Sequence, residues 1–345
     1  MKTIIKIRNG KLILLVLISI SIFSCKKSDK LTLQDNYLGG ETSGKTSLDA
    51  ALYNLLVKPY NIEVRYKWDQ SQFDMQYTLV PPRADKVLPA MTTLKKIWID
   101  PYNAETGSDL FMKTNTPKQL ILAGSPILTR DGNEINGLAE GGLDILLSDI
   151  NSTDPKDAAK VKDLLHLIHH EFTHILNQKK AYTTDFNLIT SSDYAADWYI
   201  SSVNPLSLGF ISGYARKEPV EDFAEMVSWM LTWGKDYYEN VYIKQGLAIP
   251  DPALYPAGTY NAYSAAAGQY YKKSDLPAIN KVYDFTTASI APFFIKELVK
   301  PDYSAGIAKL RKKEAIVVAY FKSAYNIDFY SLQTNVQKSL ANATK

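Results

Sequence analysis

The sequence predicts a mixed α+β chain, with short strands before residue 150 and helices after it. Three observations carry this. Short runs of alternating apolar and polar residues recur between 61 and 150. An apolar pattern of helical period runs from about 155 to 179, and a second begins at Pro219. With 345 residues, 46% hydrophobic and 22% charged, the chain has the balance of a folded protein and length enough for a sizeable core. A net charge of +3, with no arginine-rich run, excludes nucleic acid as the expected partner. The 23 tyrosines read as core-edge residues.

Residues 1–24 read as an export leader. Lys2, Lys6, Arg8 and Lys11 form a basic start, and 12–23 is an apolar stretch too short to span a bilayer comfortably. It ends in Ile22-Phe23-Ser24-Cys25, which resembles a relaxed bacterial lipobox. Cys25 is the single cysteine, so no internal disulfide competes for it, and lipidation accounts for its place. The expected anchor is therefore a lipid on Cys25, the only membrane attachment foreseen.

Residues 25–46 are polar and read as a tether, with one domain over 47–345, strand-rich over 47–150 and helical over 151–345. Gly39-Gly40-Glu41-Thr42-Ser43-Gly44-Lys45-Thr46 fits a phosphate-loop pattern, but 31–38 is too polar to be the buried strand such a loop needs, so no nucleotide is expected. A helix is expected over 47–56, and strands over 61–68, 95–102, 119–123 and 137–150. Asp154 is the expected cap of a helix reaching Lys179, with Pro155 in its first turn. The helix from Pro219 carries Phe223, Met226, Val227, Met230 and Trp233. Residues 235–274 lack periodicity. Two or three helices close the chain: one up to Lys300, one over 304–325, and a short one capped by Asp328.

The chemistry sits in the helix before Lys179. His170-Glu171-Phe172-Thr173-His174 fits H-E-x-x-H, and residues four apart on a helix share a face, so both imidazoles can grip one zinc ion. Glu171 is then turned toward water on the ion and can act as general base. All four histidines, His166, His169, His170 and His174, fall within nine residues, which filler histidines would not do. His166 and His169 read as neighbours of the site. Asn177 and Lys180 stand where a metzincin needs Gly and His, which removes that class.

Catalytic zinc takes three protein ligands. The third is expected from Glu218-Pro219-Val220-Glu221-Asp222-Phe223-Ala224-Glu225, where Glu221 and Glu225 share a helix face. One would bind zinc and the other would orient a ligand histidine. Asp222 reads as a complement to the helix N-terminus. Trp229 and Trp233 read as packing, not as a sugar platform.

H-E-x-x-H followed by E-D-F-A-E resembles the gluzincin metallopeptidases of the lethal-factor type. That resemblance implies a zincin-like fold with N-terminal strands, an active-site helix and a helical C-terminal part. It implies one zinc ion, Glu221 as its third ligand, Glu225 in support, and Tyr214 as the donor to the oxyanion. With the lipobox, the whole is similar to the substrate import-associated zinc metallohydrolase lipoproteins of Bacteroidetes-type bacteria. This implies an outer-membrane lipoprotein beside a TonB-dependent importer and its nutrient-binding lipoprotein. Lys26-Lys27-Ser28-Asp29-Lys30 lacks the acidic cluster that often sends such proteins to the cell surface, so periplasmic and surface facing both stay open.

The expected activity is zinc-dependent hydrolysis of a peptide or protein, or of another amide or ester, with the bond to be cut along an edge strand for which 137–147 is the candidate. The competing reading is a zinc-containing binding lipoprotein of an uptake complex, without turnover. An intact Glu171 favours the enzyme, because binding needs no base there.

Overall fold

The structure, a computed structural model, describes residues 46–69, 77, 79–128, 134–135, 137–140, 143–201, 203–243, 262–264, 269–271 and 303–344. The expected leader, Cys25 and the tether up to residue 45 lie outside these, as do most of 235–274 and the helix expected before Lys300. Among the described residues no helix is long and apolar enough to cross a membrane.

Helix α1, Ser47–Leu52, starts in a capping box: Thr46 Oγ1 accepts from the Asp49 amide at 3.1 Å, and Asp49 accepts from the Thr46 amide at 2.8 Å. It runs on through a wider π-helical stretch, Tyr53–Val57, and a last turn, Lys58–Tyr60, ending at left-handed Asn61. Strand β1 is Glu63–Arg65. Next, α2, Ala84–Leu94, passes through a π-helical stretch, Lys95–Ile99, into α3, Asp100–Thr106.

The strand expected over 95–102 is thus helix. Val87, Ala90, Met91, Leu94, Ile97, Trp98 and Tyr102 are all buried, and their spacing is helical once the pattern is followed back past Pro89. The π-helical widening lets Ile97, Trp98 and Ile99 all face the core, which is why that run alone looks like a strand. Helix α4 is Leu110–Asn115, so helices as well as strands precede residue 150.

Strand β2 is Gln119–Leu122, and β3, Ile127–Leu128, pairs with β4, Glu134–Ile135, as a small antiparallel ladder. Strands β5, Gly137–Glu140, and β6, Asp144–Leu147, pair antiparallel, so the single strand expected over 137–150 is a hairpin. The overlooked signal was Gly141-Gly142 in the sequence between them. The main sheet has the order β1-β2-β6-β5, with β1, β2 and β6 parallel and β5 on the edge. Interior β6 buries Ile145, Leu146 and Leu147 in succession, as a strand covered on both faces does, while Leu143 is exposed.

Helix α5, Ala158–Lys179, begins one turn later than expected. Asp157 caps it, accepting from the amides of Ala159 and Lys160, whereas Asp154 closes a turn on the Lys156 amide. Short α6, Asp185–Ile189, and α7, Pro205–Leu208, lead to a 3-10 turn, Tyr214–Arg216. Helix α8, Pro219–Tyr237, is broken near its end by Gly234 at φ 77. A π-helical stretch, Tyr238–Ile243, follows, then the β7–β8 pair, Ala262–Ser264 with Gln269–Tyr271. Helices α9, Ser304–Tyr325, and α10, Phe329–Ala343, close the chain, and Asp328 caps α10 through the Ser331 amide.

The α+β architecture is as expected, with more helix in its first half. One main core joins these elements. Phe172 of α5 lies edge-on to Trp98 at 5.2 Å and to Tyr102 at 5.3 Å, and Phe223 of α8 stacks on Tyr182 at 4.1 Å. Through that core α5 is fixed against α8 and β5.

Asp222 lies in the first turn of α8, where a negative charge complements the helix N-terminus, and it has a second role in the core. It is fully buried, and its Oδ2 accepts from Lys313 Nζ at 2.6 Å and from the Tyr194 hydroxyl at 2.8 Å. Lys313, equally buried, also donates to the Gly209 carbonyl at 2.8 Å. Removing one partner strands a charge in the core. Lys313→Met should therefore cost about 3–5 kcal/mol in urea unfolding, and adding Asp222→Asn should recover part of the loss. An unchanged midpoint in the single variant would contradict this account.

Candidate metal centre

Helices α5 and α8 run antiparallel, and each presents a stripe of residues four apart. His166, His170 and His174 on α5 face Glu225 and Glu221 on α8. At one end of the ladder three ligand atoms converge. His170 Nε2 and His174 Nε2 are 3.1 Å apart, and Glu221 Oε2 lies 3.0 Å from the first and 3.2 Å from the second.

Zinc with bonds of about 2.0–2.2 Å sets tetrahedral ligand atoms about 3.3–3.6 Å apart, so this triangle needs to open by only roughly 0.3 Å. Two imidazoles and a carboxylate are a catalytic zinc donor set, with the fourth position left for water or substrate. His170 Nδ1 is 2.9 Å from Glu225 Oε1. Donating its Nδ1–H there leaves the Nε2 lone pair facing the triangle. The donor set and the geometry both fit one zinc ion.

The outer oxygen of Glu221 is held apart from the triangle. Its Oε1 accepts from the Tyr214 hydroxyl at 2.9 Å and from Lys217 Nζ at 2.8 Å. Tyr214 leans on the His170 ring at 5.8 Å and is met edge-on by Trp198 at 5.2 Å. Burial and the Glu221 charge raise its phenol well above the ordinary range, so it stays protonated and able to donate. Glu225 is buried, and its other oxygen accepts from Ser212 Oγ at 2.6 Å. Glu171 is buried on α5, one residue from His170.

The structure therefore brings His170, His174, Glu221, Glu225 and Tyr214 together, with Glu171 beside them on α5; Cys25 lies outside the described residues. His169 turns the other way, into the core, with Nε2 3.4 Å from the Ile97 carbonyl; burial drops its pKa to about 3. Trp229 and Trp233 stack on each other at 4.7 Å, with Lys162 over Trp233 and Tyr242 against Trp229. Their faces are occupied by neighbours, in keeping with packing. Sequence reasoning missed Ser212 and Lys217. Lys217 precedes Glu221 by four residues, a spacing that pairs opposite charges and so was legible. Ser212 carried no signal, because its role depends on how the 3-10 turn folds back.

Two carboxylates around His170 favour a proton on its ring when no cation offsets their charge. Burial alone would keep His170 neutral, but hydrogen bonds to Glu221 and Glu225 overcome it and raise the pKa to about 10. Against the opposing effect of burial, the same contacts, with His174 and His166, hold Glu221 and Glu225 well below the usual carboxylate range. The raised imidazole stabilises the metal-free fold fully below about pH 6.5, its unfolded value, and loses that contribution as pH climbs through the folded value. The lowered carboxylates contribute above about pH 4.5 and lose their contribution as pH falls.

Zinc must displace the His170 proton. Its apparent affinity should rise about tenfold per unit between about pH 7 and 10, read by competition with a chromophoric chelator. A flat profile would show that His170 does not hold that proton.

Comparison with known proteins adds a family and a fold. The sequence profile of a family described as "Putative zinc-binding metallo-peptidase" matches residues 41–330. The crystal structure of a Bacteroides caccae protein described in the same words is similar at a TM-score of 0.56 and 22% identity, over 88% of this chain and 95% of that one. At that identity the likeness concerns the fold. No curated protein matches the chain.

Proposed function

Because the chain belongs to that zinc-binding metallo-peptidase family, we propose that it is a gluzincin-type zinc peptidase whose ligands are His170, His174 and Glu221. The observation that carries this is the 3.0–3.2 Å triangle of ligand atoms on two packed helices, beside a buried Glu171. Held by His170, His174 and Glu221, a zinc ion would supply Lewis acidity toward water and the scissile carbonyl.

The chain's own residues do the rest. Glu171 takes a proton from the attacking water as its oxygen bonds to the carbonyl carbon. The same carboxyl then delivers that proton to the leaving nitrogen as the C–N bond breaks. Tyr214 and Lys217 hold Glu221 Oε1, so that Glu221 offers the site one oxygen and leaves room for substrate. When negative charge builds on the carbonyl oxygen, the Tyr214 hydroxyl can turn its one hydrogen from Glu221 Oε1 to that oxygen, leaving Lys217 to hold the carboxylate. Edge strand β5, packed against α5, offers backbone groups along which an extended peptide can lie.

The zinc-loaded protein incubated with a peptide library, followed by mass spectrometry, tests this reading. Cleavage that a chelator stops and zinc restores is expected. Stoichiometric zinc with no cleavage of any peptide would instead favour a zinc-containing binding lipoprotein. The reading extends to the envelope: a lipid on Cys25 anchors the enzyme at the outer membrane, in company with a TonB-dependent importer and its nutrient-binding lipoprotein. The lipobox-like 22–25 supports the anchor, and the import association rests on family resemblance. Cys25→Ser should move the protein from the membrane to the soluble fraction, and unchanged fractionation would contradict the anchor.

A further inference from the structure

We propose that His166 is a positioning residue of the metal centre, acting on His170 through Glu225; this rests on the zinc reading above. His166 Nε2 lies 3.1 Å from Glu225 Oε1, the same oxygen that receives His170 Nδ1 at 2.9 Å. Ser212 Oγ donates to the opposite oxygen at 2.6 Å and itself accepts from the Ala215 amide at 3.1 Å. The carboxylate is thus pinned at both ends, so Oε1 cannot swing away from the ligand imidazole.

His166 is itself held. Trp233 meets its ring edge-on at 5.4 Å and 78°, and Trp233 is stacked on Trp229 and covered by Lys162. Among the described residues its Nδ1 is buried without a hydrogen-bond partner. A carboxylate oxygen can only accept, so the nitrogen facing it, Nε2, is the one that carries the N–H aimed at Glu225.

Two donors on one oxygen give His166 a consequence that simple packing lacks. Without it, Glu225 Oε1 keeps only His170 of these two partners and the carboxylate can pivot about its bond to Ser212, loosening the ring orientation that zinc requires. A packing role needs only a ring-sized apolar group against Trp233, whereas a positioning role needs an N–H at the place of Nε2. Gln can put its amide nitrogen there; Leu and Asn cannot, since the Asn nitrogen stands where Nδ1 does.

The test measures zinc dissociation constants by chelator competition, together with the visible absorption of the cobalt-substituted protein. His166→Leu is expected to weaken zinc about tenfold and to shift the cobalt bands, while His166→Gln stays within about twofold of wild type. In a Glu225→Ala background, His166→Leu should add less than about twofold, because the acceptor that links the two imidazoles is already gone. Should His166→Leu not fold, His166→Asn takes its place with the same expectations. Wild-type affinity and spectrum in the Leu or Asn variant would overturn the inference, as would an equal loss in both backgrounds. Wild-type protein that takes up no zinc would overturn the metal reading itself, a result separable from either of these.

Discussion

Glu171→Gln should lower kcat/KM on any cleaved peptide by about 10²–10⁴-fold while leaving one zinc per chain in place. The substitution keeps shape and volume, so the packing of a buried side chain in the middle of α5 is preserved. What it removes is the basicity that receives a proton from water and returns it to the leaving nitrogen. Expressed as a barrier, the loss is about 3–5 kcal/mol, far more than a surface change would give. The metal should survive, because the group of side chains that could hold it is His170, His174 and Glu221, without Glu171. Zinc content by elemental analysis and single-substrate kinetics on the same preparation read both halves of the expectation. Full activity in this variant would mean that another group is the base. Loss of zinc along with activity would mean that Glu171 holds the centre together instead of working in it.

The parts of the site legible in the sequence were those set by spacing along one helix. His170, Glu171 and His174 needed only a helical period, and Glu221 with Glu225 needed the same on α8. Pairing the two stripes is a tertiary event, yet ligand chemistry forced it: two imidazoles on one helix demand a third ligand, and few acids were framed to supply it. Tyr214 came from resemblance, and the structure puts its hydroxyl on the ligand carboxylate. Ser212 and Lys313 could not be read, since each acts only after distant segments meet; Lys313 reaches Asp222 from a helix 91 residues away.

The fold was misread where a local pattern was ambiguous. Ile97-Trp98-Ile99 has the composition of a strand, and only the buried series beginning at Val87 reveals it as a widened helix. The hairpin β5–β6 was read as one strand because alternation was followed across a glycine pair that should have stopped it. That hairpin matters for function, for it makes β5 the sheet edge beside α5 and places β6 inside.

The second large effect belongs to the ligand that comes from a different helix. Glu221→Gln should weaken zinc by at least 10²–10³-fold, since a closed site of four ligands binds with about 10–16 kcal/mol and each ligand carries roughly 3 of them. Three losses act together. The negative charge that offsets the cation disappears, an amide oxygen replaces a carboxylate oxygen between the two imidazoles, and Lys217 and Tyr214 lose the anion to which both donate. The histidine pair remains, but both rings sit on α5 and offer only two bonds to the ion.

Glu225→Gln is the control that separates binding from support. It keeps all three ligand atoms and removes only the acceptor charge behind His170, so its loss should be about 10–100-fold. If the order were reversed, with Glu225→Gln releasing zinc and Glu221→Gln retaining it, the two acids would have to exchange roles. The triangle of ligand atoms argues against that exchange, because Glu225 Oε1 faces Nδ1 of His170, on the opposite side of the ring from Nε2.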